Sequence, residues 1–218
     1  MSKKITVKGQ GKITASPDLV VLSMVLESRD LTYEKAMDNA ARDIETLNTA
    51  VESAGFEKKA LKTTSFNVRT DYEYKRNSYG DSERVFSGYV VTQDLKLEFD
   101  FDSKKLAETL SVVGSCPAHP KINIQFTVKD PTAIKEEMLR LAVENAKRKA
   151  EILCDAAGEQ LGELLSIDYN WGELNIYSDT RYDMEESCLA APMVCGGVDM
   201  EPDDIKLSDT VTLVWEIK

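Results

Sequence analysis

The chain's only histidine lies close to a cysteine, and such a pair could perform nucleophilic chemistry. His119 follows Cys116 by three residues, in Cys116-Pro117-Ala118-His119-Pro120. A neighbouring imidazole can generate the reactive thiolate. The two prolines favour a rigid turn instead, and nothing nearby in the sequence would orient the imidazole. We therefore expect a structural turn and assign no catalytic residue.

Two further cysteines, Cys188 and Cys195, lie seven residues apart in an acidic segment. Nine acids and two bases fall between Tyr177 and Asp209. Surrounding carboxylates raise a thiol pKa and slow thiolate chemistry. The sequence shows neither a CxxC pair nor four ligands at the spacing that zinc requires. One alternative stays open, a small-molecule-binding or thiol-redox protein with its site under residues 171–202.

The remaining ligand-like patterns favour structure over cofactor binding. Asp199, Glu201, Asp203 and Asp204 do not match the twelve-residue calcium loop, so we interpret them as a solvated acidic turn. The Gly-x-Gly pattern that begins at Gly9 lies within a strand pattern and does not open a helix, as a phosphate site would require. We predict no metal and no cofactor, and expect a close approach of backbones at these glycines.

Aromatic residues form the candidate interface. Tyrosine and tryptophan are enriched at the centres of protein interfaces. Ordinary cross-strand pairing of tyrosines is an equal alternative. The predicted interface set is Tyr72, Tyr74, Tyr79, Tyr89, Trp171, Tyr177 and Tyr182.

The elements that position these residues follow a pattern that occurs twice. An apolar strand at 19–26 leads into a helix over 32–55 and a strand over 61–74. Likewise, a strand at 122–128 leads into a helix over 131–158 and a strand over 164–169. The fold class predicted is α+β, with two related strand–helix–strand halves and antiparallel sheets backed by helices.

The first half continues into a long protruding hairpin, because a second alternating strand over 89–101 follows a polar turn at 77–82. We divide the chain into an N-terminal β-α-β-β-α-β part, 1–129, and a C-terminal part, 130–218. The latter holds the long helix, a loop excursion and the final strands.

Two finer predictions concern the C-terminal part. The long helix is expected to bury a stripe of mixed residues, which Ala142, Ala146 and Leu153 widen. Asp209 falls on the apolar face of the last strand, which predicts a β-bulge or the entry of the strand at this residue. The main stripe is Ile134, Met138, Leu141, Asn145, Lys149, Ile152 and Ala156.

Composition excludes several classes of function. The 218 residues are 42% hydrophobic, as in a globular protein, and carry a net charge of −11. We find no basic stripe for nucleic acid, and an acidic chain is repelled by anionic membranes. No apolar run is long enough to span a bilayer, and no leader pattern follows Lys3 and Lys4, so the sequence predicts a cytoplasmic protein.

The opening of the chain resembles that of SIMPL-domain proteins, also called the periplasmic immunogenic or oxidative-stress-defence family. The similarity extends over almost the whole chain. The segments that carry it are Ile5–Gly11, Pro17-Asp18-Leu19, Asn39-Ala40-Ala41, Thr63–Phe66, Gly88-Tyr89, Asp130-Pro131, Ala142–Ala150, Ala191-Pro192-Met193, Glu201-Pro202 and Val211-Thr212-Leu213.

The resemblance implies an α+β fold and supplies no catalytic residue. We therefore expect one SIMPL-like unit over 1–218, a non-enzymatic protein with a link to stress. It would act by self-assembly as a homo-oligomer or by binding another protein, whose identity the sequence does not give.

Overall fold

The computed structural model describes residues 3–76, 82–169, 172, 174–180, 182–184 and 201–218. Eight strands and three helices lie within these residues. In chain order they are β1 (Lys3–Ala15), β2 (Leu19–Asp30), α1 (Tyr33–Ser53), β3 (Lys62–Arg76), β4 (Ser82–Asp100), α2 (Ser103–Gly114), β5 (Lys121–Thr127), α3 (Pro131–Ala157), β6 (Leu161–Asp168), β7 (Tyr182–Met184) and β8 (Ile205–Ile217).

This order confirms the α+β fold and the repeated strand–helix–strand pattern, β2-α1-β3 and β5-α3-β6. The strands form a five-stranded sheet in the order β3-β4-β2-β5-β7 and a three-stranded sheet in the order β1-β8-β6. The halves differ in where their strands pair. Both strands of the first half lie in the larger sheet, whereas β6 of the second half lies in the smaller one because it pairs with β8.

Contacts group the chain into two compact units. The terminal unit consists of Met1–Asp18, Thr127–Asp179 and Pro202–Lys218, and the central unit of Leu19–Phe126 and Thr180–Glu201. β1 belongs with the C-terminal elements because it pairs with β8 along its whole length. The predicted boundary between residues 129 and 130 divides the chain into two consecutive parts, and it stays a prediction. The contacts instead group segments that are separate in the sequence.

In the central unit, helices α1 and α2 pack on the five-stranded sheet. Alternate residues of β2 and β4 face the helices and are buried, as the period of a strand requires. The largest fully buried side chains of this core are Leu22, Met24, Leu26, Leu47, Leu95, Leu97, Leu106, Ile124 and Phe126.

Side chains or glycine cap most of the helix ends in the usual way. Asp130 accepts the backbone N–H groups of Thr132 and Ala133 at 3.0 and 3.2 Å, and Gly158 ends α3 with φ 73°. Asp102 caps α2 in the same way. Thr32 occupies the cap position of α1 but makes no side-chain cap bond there.

In the terminal unit, α3 lies unusually close to β1. A Cβ atom built on Gly9 would lie 2.1 Å from the carbonyl oxygen of Ala142, and one on Gly11 would lie 2.0 Å from that of Met138. No other residue type has room at these positions. The glycines therefore let the helix backbone rest directly on the strand, as the sequence predicted.

This close approach selects which side of α3 is buried. Met138, Ala142 and Ala146 of the predicted stripe are buried. Lys149, Ile152 and Ala156 are exposed, so the prediction is wrong for the C-terminal part of the helix. The buried residues recur every four positions and are mostly small, since a large side chain would hold the helix away from β1. Asn145 and Lys149 lie at the margin, and Ile152 and Leu153 are exposed. The buried residues of α3 are Met138, Ala142, Ala146, Ala150 and Cys154.

The predicted bulge or strand entry at Asp209 is also wrong, since β8 already begins at Ile205. β8 pairs with β1 residue for residue, with Asp209 opposite Gly11. The Tyr169 hydroxyl donates a hydrogen bond to the Asp209 carboxylate at 2.7 Å, and the carboxylate also accepts the N–H of Thr210. These bonds satisfy the carboxylate on an otherwise apolar face, so the strand does not need to distort.

The contact at Gly9 yields a stability prediction. Gly9→Ala places a methyl group against the backbone of α3, and overpacking of this kind costs about 1–3 kcal/mol. Urea unfolding followed by circular dichroism measures the loss. Gly172→Ala is the matched control, because a Cβ there meets no atom within 4 Å. Equal stability of the two variants would contradict the close-approach interpretation.

Candidate interaction surface

The hairpin of β3 and β4 extends beyond the end of its neighbour β2. β2 pairs with β4 as far as Asp30 opposite Tyr89. β3 and β4 continue to pair up to Arg76 opposite Ser82. The outer half of the hairpin is therefore a two-stranded ribbon, which confirms the long protruding hairpin.

A bulge at the start of the ribbon changes which side chains share a face. Asp71 lies opposite Gly88, but the next residue, Tyr72, lies opposite Phe86. The extra residue in β4 turns Phe86 to the same face as Tyr89, three positions away. The bulge thus places Phe86 and Tyr89 on the same face of the ribbon, whereas strict alternation would put them on opposite faces.

Four aromatic rings form a continuous row on this face. Tyr33 of α1 meets Tyr89 edge-on with ring centres 5.7 Å apart, and Tyr89 meets Phe86 at 5.3 Å. Phe86 meets Tyr72 at 5.8 Å. The Arg84 guanidinium lies over the Tyr72 ring, 3.9 Å from its centre. We call these five residues the aromatic face.

Much of the aromatic face is open to solvent. Tyr33 is 50% exposed, Phe86 41% and Tyr72 39%, and nearby Tyr74 is 74% exposed. Single exposed apolar side chains are ordinary, but a contiguous row of this kind is a candidate interaction surface.

Gly88 fixes the place where the ribbon leaves the sheet. Its φ of 143° lies outside the range that other residues readily adopt, and a Cβ atom there would lie 2.6 Å from the Asp30 carbonyl oxygen. The chain therefore needs glycine at this point, just before Tyr89.

A network of charged side chains links three strands below the ribbon. Glu27 of β2 lies 3.4 Å from Arg29, 3.7 Å from Arg69 of β3 and 3.4 Å from Lys121 of β5. Asp71 lies 3.4 Å from both arginines. Partial burial alone would raise the pKa of Glu27, but the charges and hydrogen bonds of Lys121 and Arg29 outweigh it and hold that pKa below its ordinary value.

An open groove of about 360 Å³ lies at the base of the ribbon, and its lining includes Arg29, Asp30, Asp71, Glu73 and Tyr89. Arg29 pairs with Asp71, and Glu73 accepts a hydrogen bond from Ser87. Charged groups that already pair with their neighbours do not form the apolar lining typical of small-molecule sites.

The structure brings together part of the predicted interface set. Tyr72, Tyr74 and Tyr89 lie on the hairpin, whereas Tyr177 lies in the terminal unit, where it bridges to Thr127. Tyr79 and Trp171 lie outside the described residues, as does the side chain of Tyr182. Whether these residues make an interface stays a prediction.

Sequence reasoning missed three members of the aromatic face. Phe86 precedes the alternating pattern over 89–101, and only the bulge at Gly88 brings it to the face of Tyr89. Tyr33 lies at the start of a helix, where strand patterns give no signal. The position of Arg84 results from the same shift of register. Arg84 lies opposite Tyr74, and its guanidinium group extends over the ring of Tyr72.

The described cysteines are buried. Cys116 is enclosed, and burial raises the pKa of its thiol, with a smaller contribution from Asp43. That shift is opposite to the one that activates a nucleophile. The N–H of His119 donates to the Cys116 carbonyl, which confirms the turn. Cys154 is buried in the interior. Cys188, Cys195 and Asp199 lie outside the described residues.

The described part of the chain holds neither a metal-binding cluster nor a membrane-spanning helix. Among those residues no three histidine, cysteine or acidic side chains are grouped so as to hold a metal ion. None of the described helices combines the length and apolar character needed to cross a bilayer.

Comparison with known proteins gives a family match over residues 5–215, to SIMPL, described as a protein of unknown function (DUF541). A 26 kDa periplasmic immunogenic protein of Brucella melitensis is 27% identical over 75% of this chain and 65% of its own length. A mouse protein named interleukin-1 receptor-associated kinase 1-binding protein 1 is 25% identical over 76% of this chain and 60% of its own length. Escherichia coli YggE is 20% identical over 98% of this chain and 83% of its own length.

These relatives correct the predicted cytoplasmic location. Two Brucella proteins at 27% identity are named as periplasmic, which contradicts it. The prediction depended on the residues with which the sequence begins, and those residues do not determine the compartment. The chain spans about two thirds of the length of the Brucella relatives.

The charge network yields a prediction about acid stability. Glu27→Gln should lower the free energy of unfolding by about 1 kcal/mol at neutral pH, since each partly exposed ion pair contributes less than that. Because the folded pKa of Glu27 is depressed, its contribution is present above the unfolded pKa near 4.5 and is lost as the pH falls through the folded value.

Urea unfolding at several pH values measures this difference. The difference in the free energy of unfolding between wild type and Glu27→Gln should disappear as the pH is lowered. Glu98→Gln serves as the control, because Glu98 pairs with Lys96 at an exposed position. A gap that is unchanged down to pH 3 would contradict the role of the Glu27 charge.

Proposed function

Because the chain belongs to the SIMPL family, we propose that it is a non-enzymatic protein that acts through protein–protein contact, and that the aromatic face of its hairpin mediates self-association. The observation that carries this proposal is the exposed row of rings from Tyr33 to Tyr72, held in place by the bulge at Gly88.

The aromatic face consists of residue types that favour protein–protein contact. Tyrosine and arginine are among the residues that contribute most to binding energy at interfaces, and arginine stacked on a ring is already ordered before binding. The ribbon extends past β2, so both of its strands are accessible. A second ribbon could approach it without disturbing the core.

The relatives support protein contact in general terms. The mouse relative is named for binding a kinase associated with the interleukin-1 receptor. We transfer only the class of activity, since this chain matches 60% of that protein's length. The stress-related role implied by the family resemblance, and the alternative site under residues 171–202, stay predictions.

The proposal is tested by sedimentation velocity at protein concentrations from about 1 to 100 µM. The wild type should associate within this range, and Tyr72→Thr combined with Phe86→Thr should weaken association at least about tenfold, since each substitution removes an aromatic contact worth 1 kcal/mol or more. Val85→Thr is the matched control, because Val85 is exposed on the opposite face of the same strand.

Two outcomes would overturn self-association through this surface. One is a wild-type protein that sediments as a monomer at every concentration. The other is a decrease in association as large for Val85→Thr as for the double variant. Circular dichroism of each variant checks that the fold is retained.

A further inference from the structure

Among the described residues the two sheets have four edge strands, and three of them are poorly suited to further pairing. At the edge of β1, the Asn145 side-chain oxygen accepts the N–H of Gln10 at 3.0 Å, and the Lys149 ammonium group donates to the Lys8 carbonyl at 3.1 Å. β6 has an irregular register on both sides of Leu164, and β7 is only three residues long. Covered, irregular and very short edges of this kind resist pairing with another chain.

The fourth edge strand, β3, has none of these protections along most of its length. Within the described part of the chain it pairs only with β4, and all but two of its fifteen residues are exposed. A bulge interrupts β3 between Thr63 and Ser65, but the later irregularity opposite Gly88 lies in β4. Residues 65–76, which we call the edge segment, therefore form a regular strand. Every second residue of it directs its N–H and C=O groups away from β4.

Geometry and charge limit the registers in which the edge segment can pair with the same segment of a second copy. Residues that direct their backbone groups outward must face one another, so the two-fold axis of an antiparallel pair passes beside a residue and not beside a peptide bond. An axis at Arg69, Asp71 or Glu73 places two like charges directly opposite each other. An axis at Tyr72 places Asp71 opposite Glu73. Axes nearer either end leave only a short part of the segment to pair.

An axis at Thr70 avoids all of these conflicts. Arg69 of each copy then lies opposite Asp71 of the other copy. These two residues already lie 3.4 Å apart within one strand, so the four charges of the pair alternate in sign around the axis. Glu73 lies opposite Asn67, whose side-chain amide can donate to the carboxylate. Charge complementarity therefore selects this register.

The same register pairs apolar side chains on the other face of the edge segment. Phe66 of one copy lies opposite Tyr74 of the other, and Val68 lies opposite Tyr72. Phe66 is 51% exposed and Tyr74 is 74% exposed, although neither belongs to the aromatic face. Aromatic and β-branched side chains directly opposite each other stabilise antiparallel strands. The two-fold axis repeats each of these contacts.

We propose that two copies of the chain pair through their β3 strands, antiparallel about a two-fold axis at Thr70, and so join their five-stranded sheets into one continuous sheet. This proposal rests on the self-association proposed above and gives it a partner surface and a register. About ten backbone hydrogen bonds would cross the junction. The two aromatic faces would then lie on the same side of the joined sheet, since residues directly opposite each other in an antiparallel pair share a face.

Disulfide cross-linking tests the position of the axis. Thr70→Cys is made in the full chain together with Cys188→Ser and Cys195→Ser, and the two described cysteines are buried. A cysteine on the axis faces its own copy at a Cα separation of about 4.5–5.5 Å, which a disulfide can bridge. Mild oxidation should therefore convert most of the protein to a covalent dimer. Thr63→Cys in the same background is the matched control, because its two copies would lie about 45 Å apart.

Charge reversal tests the register without depending on the stability of a single variant. Arg69→Asp places two acids opposite each other in a pair of identical chains, and Asp71→Arg places two bases opposite each other. In sedimentation velocity each variant alone should associate at least about tenfold more weakly than the wild type. An equimolar mixture should recover most of the association, since every opposed pair then has opposite charges. A loss of folding cannot produce recovery on mixing.

The apolar face gives a third variant that the proposed function does not use. Phe66→Thr should weaken association about fivefold or more, because the two-fold axis removes two aromatic pairs at once. Val85→Thr remains the control.

Three results would overturn this pairing of β3 strands. They are Thr70→Cys cross-linking no faster than Thr63→Cys, an Arg69→Asp and Asp71→Arg mixture that associates no better than either variant alone, and unchanged association of Phe66→Thr. If Tyr72→Thr with Phe86→Thr still weakens association in those cases, the proposed function stands and only the β3 register fails. A wild-type protein that stays monomeric overturns both.

Discussion

The close contact between β1 and α3 is the constraint on which the terminal unit depends. With no side chain at Gly9 or Gly11, the helix backbone reaches the strand, and only small residues fit beneath it. This one contact decides which side of α3 is buried. It also places Asn145 and Lys149 against the edge of β1 and leaves β6 without a covering helix.

The central unit is organised differently, around ordinary packing of large aliphatic side chains between a sheet and two helices. Its unusual feature is the ribbon. Gly88 turns β4 at the end of β2, and the bulge beside it gathers Tyr89, Phe86 and Tyr72 on one face. The charged network centred on Glu27 connects β3 and β5 through β2, and so braces the base from which the ribbon extends.

Much of the fold could be predicted because its signals are local. Asp130 with Pro131, and Gly158 at the other end, mark α3 without reference to the rest of the chain. The buried side of α3 could not be predicted from hydrophobicity, since it depends on glycines more than a hundred residues away. In the same way, the face of Phe86 depends on a bulge, and Asp209 is accommodated by the hydroxyl group of Tyr169, forty residues earlier in the chain. Interactions between distant residues decided each of these cases.

The membership of β1 in the terminal unit has a consequence for synthesis of the chain. Within the part of the chain that the structure describes, β1 pairs only with β8, about two hundred residues later, whereas nearly all of the central unit is contiguous in sequence. The central core can therefore form during translation, while β1 waits for about two hundred residues before its partner exists. Folding of the terminal unit therefore waits for β8, and until then the nascent chain exposes an unpaired glycine-containing strand together with the small-residue side of α3.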